Sequence, residues 1–341
     1  MSLARAIATG DLAELPSRRD EDWRWSDIRG LLRALPEPSA AERAAVIPPG
    51  PFASIRSEVI EIVNGDGPTV IELSAGEGRV VALRYFAAGA GAHASALAVT
   101  LARGAELVLL ESHEGQGSYV TEADLAIAIG PDARLERLVL ADEPEEAVSV
   151  TNAQVDLAPG ARFTQTVITT GARRQRLETR VRHAGGGAEA KLDGVYRLGG
   201  RRHADITTVV DHMGPDGSTD QLTKGVAAGQ ARGVFQGRIL VAAGSDRTEA
   251  RMGHHALVLS DRAEVDAKPE LEIYADEVVC SHGNSIGALD EEALFYAQQR
   301  GLPEGAARAL LTEAFLGAVV DRIEHEAARE VVQAFVAEAG A

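Results

Sequence analysis

GAEL (104–107), DARL (132–135), GARF (160–163) and GAEA (187–190) recur at steps of 28, 28 and 27 residues. Each places Ala after Gly or Asp, adds a long polar residue and leads into an apolar run. A fixed period of this size marks a repeat architecture, in which each unit buries its face against its neighbours. The runs themselves, such as ELVLLE (106–111), RLERLVLA (134–141) and RFTQTVIT (162–169), have the length of strands. Gly, Pro, Asp or Asn bounds each of them. The expected core is therefore a β-solenoid. DRAEV (261–265) resembles the repeat again, although the intervening periods are not clean.

This texture extends over residues 55–288. Before it, residues 1–45 read as helical. Ser17 is a candidate N-cap, and Ile28, Leu31, Leu32 and Leu35 follow helical spacing. The five prolines of LPEPSAAERAAVIPPGP (35–51) then mark a boundary. After it, EEALFYAQQRG (291–301) reads as a helix ending at Gly301. From Pro303, one long helix is expected, with Ala307, Leu311, Phe315, Val319 and Ile323 forming an apolar stripe. The predicted organisation is a helical region over 1–54, a β core over 55–288 and a helical domain over 289–341.

The chain has 341 residues and a net charge of −17. Such an acidic surface repels phosphate backbones and anionic lipid, so neither nucleic acid nor membrane is an expected partner. No apolar stretch reaches the ~20 residues of a membrane span. The N-terminus meets charges before any long apolar run, unlike a secretory signal. With the single cysteine, this points to a reducing, cytoplasmic setting. Aromatic residues make up only 4%, which disfavours a β-helix enzyme that stacks sugars.

No nucleotide-binding, HExxH or CxxC motif is present. The chemistry-bearing stretch is VVCSHGNSIG (278–287). On a strand, Cys280 and His282 share one face, as converging ligands must. His254 of MGHHA (252–256) lies 28 residues before His282, which suggests neighbouring positions on adjacent coils. Thiolate with imidazole suits zinc, copper or iron–sulfur chemistry. The segment alone supplies too few ligands, so either His254 or His255 completes the site or a second polypeptide does. The first option is a mononuclear metalloenzyme on a β-helix scaffold.

KPELEIYADEVVCSHGNSIGALDEEALFYAQQRG (268–301) resembles the C-terminal signature of the SufB/SufD family of iron–sulfur cluster assembly scaffolds. The similarity continues through TTVVDHMGPDGSTDQLTKGVAAGQARGVFQGRILV (207–241) and ALVLSDRAEVDA (256–267). PSRRDEDWRWSDI (16–28) resembles a motif that opens the helical front of SufD-type members. The single cysteine and the length favour the SufD side. The resemblance implies a right-handed parallel β-helix between helical terminal domains, and a non-enzymatic role. It implies a SufB-type scaffold partner met through the β-helix, and a SufC-type ATPase met through the C-terminal helices, here with Leu311, Phe315 and Val319. It also implies a homodimer when the chain is alone. The cargo would be a transient iron–sulfur cluster in the complex, with none held tightly by the isolated chain. His282, with Cys280 close by, would be its ligands. MGHHA replaces a Gln-x-Asn-Arg-Asn-like family stretch and reads as surface variation. Asn284 and Ser285 read as neutral changes at small polar positions.

Overall fold

Turn chemistry decides the core. In the computed structural model, which describes residues 2–38 and 47–338, Gly104, Asp132, Gly160 and Gly187 all have positive φ. Each is followed by an alanine that is at most 1% exposed: Ala105, Ala133, Ala161 and Ala188. A left-handed residue reverses the chain, and the methyl group then tucks beneath the next coil. Those two requirements are the physical content of the repeat. Asp216 (φ 57°) and Arg247 (φ 56°) fill the left-handed position in the later coils. The Arg247 guanidinium grips the Asp216 carboxylate on the preceding coil at 2.6 and 2.8 Å.

Among the described residues, seventeen strands, β1 (Glu58–Val63) to β17 (Val279–Gly287), form a parallel solenoid of about eight coils. Odd-numbered strands make a nine-stranded sheet and even-numbered strands an eight-stranded one. Apolar side chains from both sheets fill the space between them, with Leu83, Leu109, Val99 and Phe163 all fully buried. The interior is not wholly apolar. Arg137 donates to both carboxylate oxygens of Glu111, at 2.8 and 2.9 Å, and to Gln165 at 2.6 Å. Burial opposes the charge on Glu111, but Arg137 and His113 outweigh it and hold the carboxyl near 2.

The front of the chain differs from the sequence expectation. Among the described residues there, only Leu3–Thr9 (α1) is an α-helix, followed by short 3-10 turns at Leu12–Glu14 and Glu21–Trp23. Residues 39–46 lie outside the described residues. The open turns over 17–35 leave backbone carbonyls available to the solenoid. Asp22 O accepts from Arg176 at 2.7 Å, and Trp25 O bonds His203 Nε2 at 3.0 Å. The Trp23 ring covers the Arg176 guanidinium, 4.4 Å from its carbon. A continuous helix would spend those carbonyls on itself.

The expected long C-terminal helix is two. Helix α2 (Glu291–Gln299) is capped by Asp290. Then come α3 (Glu304–Val320) and α4 (Glu326–Glu338). The solenoid supports the break between them. Glu136 accepts from the backbone N–H groups of Glu324 and His325 at 2.8 and 3.0 Å, acting as an N-cap from another element. Arg322 meets Asp193 and Asp220, each at 2.8 Å. Leu316, Val319, Val320 and Val332 pack on Leu138, Ile168 and Val195 of the nine-stranded sheet. No helix is long and apolar enough to cross a membrane among the described residues.

Candidate functional site

Parallel strands in register stack like-facing side chains from coil to coil. On the inner face of the nine-stranded sheet, Phe163, Ala190, Thr219 and Ala250 form a column that ends at Cys280. The next column runs through Gln165, Leu192, Gln221 and Met252 to His282. A third runs through Val167, Gly194, Thr223 and His254 to Asn284. Strand β17 is the last of its sheet. Inner-face residues that are buried in every earlier coil therefore become accessible at this end. Cys280 is half-buried, and His282 and Asn284 are exposed.

Register moves the partner expected for His282. Val279 stands beside Glu249, 30 residues earlier rather than 28. His282 thus lies next to Met252, and His254 next to Asn284. The reason is local: the two connections of this coil, 259–263 and 274–278, together hold ten residues, against seven to nine in the coils that set the earlier period. His255 occupies the opposite face of its strand, where Nδ1 meets Ser285 Oγ at 2.7 Å. The four-ligand metalloenzyme set of His254, His255, Cys280 and His282 is thereby split between two faces. Among the described residues, no three His, Cys, Asp or Glu side chains are gathered where they could hold a metal ion.

His254 is fully buried and is not surface variation. Its ring lies parallel to Phe235, with centroids 4.7 Å apart. Nε2 meets the Tyr196 hydroxyl at 2.9 Å, and Nδ1 meets Asn284 Oδ1 at 2.7 Å. Burial lowers the imidazole pKa to about 4, so the ring is neutral at physiological pH. Two glycines make room for this arrangement. A Cβ on Gly225 would stand 1.7 Å from the Tyr196 ring, and one on Gly233 2.5 Å from it. Tyr196 and Gly225 carry no local sequence signal, and the expectation that Asn284 is a neutral change takes no account of His254, because the contact joining these residues runs from coil to coil.

Burial raises the Cys280 thiol above its usual value, so it is protonated until a metal or a cationic neighbour draws the proton off. The predicted partner-binding residues divide. Leu311 and Phe315 are partly buried, and Phe315 lies 4.4 Å beneath the Lys224 ammonium. Val319 is fully buried against the solenoid and has no surface left to offer a partner. The apolar side chains that do face solvent here are Phe295, Tyr296, Leu302 and Leu310.

The solenoid and its cysteine–histidine end match a known group of sequences. Residues 85–315 fit the family described as SUF system FeS cluster assembly, SufBD core domain. The chain belongs to the SufBD family. An iron–sulfur cluster assembly SufBD family protein of Mycobacterium tuberculosis is 28% identical over 358 residues, covering 96% of this chain and 89% of the relative. The iron–sulfur cluster assembly protein SufD of Escherichia coli is 28% identical over 236 residues, covering 69% of this chain and 56% of that protein. The chloroplastic protein ABCI7 of Arabidopsis thaliana is 28% identical over 289 residues, covering 79% of this chain and 60% of that protein. Within the SufBD match, Cys280 and His282 lie on the last strand of the core.

Proposed function

We propose that this chain is a SufD-like, non-enzymatic scaffold subunit of a SufBCD-type complex for iron–sulfur cluster assembly. It offers His282, with Cys280 beside it, to a cluster completed by a SufB-type subunit. One observation carries this reading: the inner columns of the solenoid end in Cys280 and His282 on a strand with no strand beyond it among the described residues. A thiol and an imidazole at an open end suit a soft metal–sulfur cargo. They are too few to hold one alone, so the remaining ligands come from across an interface. The edge of β17 and the exposed Val279 and Ile286 form the facing surface, for a SufB-type partner or for a second copy when that partner is missing. Family resemblance further supports docking of a SufC-type ATPase on the exposed apolar side chains of α2 and α3. The setting is cytoplasmic.

Co-expression with SufB- and SufC-type partners, followed by anaerobic purification and iron and sulfide analysis, tests this. The complex should carry a cluster that falls to background in His282→Ala while the subunits still co-purify. Unchanged iron and sulfide in that variant would remove His282 from the site. One tightly bound metal ion on the isolated chain would favour the mononuclear reading instead.

A further inference from the structure

We propose that Asn284 is a third cargo-contacting residue, locked by His254 so that its side-chain N–H groups donate to a sulfur of the nascent cluster. The proposal rests on the shared-site reading above and adds a residue and a chemical role to it.

The proton positions follow from burial. Among the described residues, the Tyr196 hydroxyl has one hydrogen-bond partner, His254 Nε2. Leaving a buried O–H without an acceptor costs about 1–3 kcal/mol, so the hydroxyl donates and Nε2 accepts. The imidazole is neutral, which places its one proton on Nδ1. Nδ1–H then donates to Asn284 Oδ1 at 2.7 Å. The Asn284 amide is thus oriented from inside: its oxygen faces the preceding coil, and its nitrogen lies on the other side of the planar group. That nitrogen has no partner among the described residues.

Place makes this orientation consequential. Asn284 and His282 are alternate residues of one strand face, roughly 7 Å apart along the chain. Cys280 is the next member of the row. An exposed asparagine ordinarily samples several rotamers. This one is held by a histidine that is itself clamped between Phe235 and Tyr196. A fixed N–H donor beside two soft-metal ligands matches what a cluster sulfide or thiolate accepts, and such bonds raise a cluster's reduction potential.

Asn284→Asp separates this role from simple stapling of the last strand. It keeps the oxygen that His254 requires and removes the N–H donor. In the three-component complex, Asn284→Asp and Asn284→Ala should both shift the cluster's reduction potential negative. Both should lose the cluster several-fold faster on gel filtration, with subunit stoichiometry unchanged. Tyr196→Phe, which frees His254 to change tautomer, should produce a smaller shift in the same direction. Nitrogen-15 NMR of histidine-labelled chain should show His254 protonated at Nδ1. A cluster in Asn284→Asp that matches wild type in potential and lifetime, while His282→Ala loses its cluster, would overturn the role of Asn284 and leave the shared site standing. Full cluster content in His282→Ala, or none in wild type, would overturn the shared site and this inference with it. A proton found on His254 Nε2 would overturn the locking step.

Discussion

Arg176 and Asp205 meet at 2.7 Å with no exposed side-chain surface on either. Glu178 also accepts from Arg176, at 2.7 Å. Burial opposes the Glu178 charge, but Arg176 and Arg180 outweigh it and lower its pKa. The N-terminal segment closes over this cluster through Trp23, Ser26 and the Asp22 carbonyl. Arg176→Met should leave the buried Asp205 carboxylate without its cation and Glu178 with Arg180 alone, costing about 3–5 kcal/mol. Urea unfolding should report that loss, and limited proteolysis should cut first near residues 17–30. Proteolysis that begins elsewhere would separate the cluster from N-terminal docking.

Glu111 links stability to strongly acid pH. Its folded pKa, near 2, lies below the ordinary value of 4.5. Its stabilising effect is therefore complete above about 4.5 and is lost as pH falls toward 2. Glu111→Gln should cost about 3 kcal/mol at pH 7 by leaving Arg137 buried without its anion. The variant should also show a flatter stability profile between pH 4.5 and pH 2. Chemical denaturation across that range measures both effects.

A second pH dependence has a different origin and window. Burial pushes His212 down to about 3 and His254 to about 4, from an ordinary 6.5. Such groups take up protons mainly when the chain unfolds. Their stabilising effect is complete above pH 6.5 and is lost as pH falls toward their folded values. At pH 5 the loss amounts to about 2 kcal/mol for each fully buried histidine. His212→Gln should reduce the difference in unfolding free energy between pH 7.5 and pH 5. An unchanged difference would mean that His212 is protonated in the folded chain.

Gly225→Ala should destabilise the core although it adds one methyl group. The new Cβ would overlap the buried Tyr196 ring. Overpacking of this kind costs roughly 1–3 kcal/mol. Moving the ring should also break its bond to His254, so the variant should resemble Tyr196→Phe in the cluster's reduction potential. Full stability with an unchanged potential would show that Tyr196 can shift freely.

On the helices, Leu310 and Val319 predict opposite behaviour. Leu310 is 52% exposed and Val319 fully buried. Leu310→Asp should preserve the unfolding midpoint and weaken ATPase capture. Val319→Asp should release α3 and α4 from the solenoid, seen as lost cooperativity in thermal unfolding monitored by circular dichroism. Normal ATPase binding by Leu310→Asp would move the docking surface elsewhere.

The repeat was legible from residue 104 to residue 187 because the left-handed turn there is filled by Gly or Asp, and the next site by Ala. Later coils meet the same backbone demand with Asp216–Gly217 and Arg247–Thr248, and an ion pair between coils supports the arginine. No local pattern announces that solution. Cys280 and His282 were legible as a pair because strand alternation is a local rule. Asn284 was not, because its meaning depends on a 30-residue register and on a histidine whose burial only the stacked coils create. The spacing of Ile28 and Leu32 misled for a related reason. Both are buried against the sheet, but the carbonyls of Asp22 and Trp25 are drawn outward by Arg176 and His203, and that requires open turns.

The order of the coils also decides how the molecule transmits force. Inter-strand hydrogen bonds run along the solenoid axis. The C-terminal helices grip it at Asp193 and Asp220, on the strands Glu189–Leu198 and Ser218–Ala227. An axial pull applied through those helices reaches His282 by two routes: along the backbone, since α2 starts four residues after Gly287, and across the two remaining junctions, which are loaded in series. The junction at β17 holds nine paired positions and has no neighbour beyond it among the described residues to share the strain. A pull directed along the strands instead shears every bond of a junction together. The direction of force, more than its size, therefore decides whether the terminal strand travels with the body or peels from it.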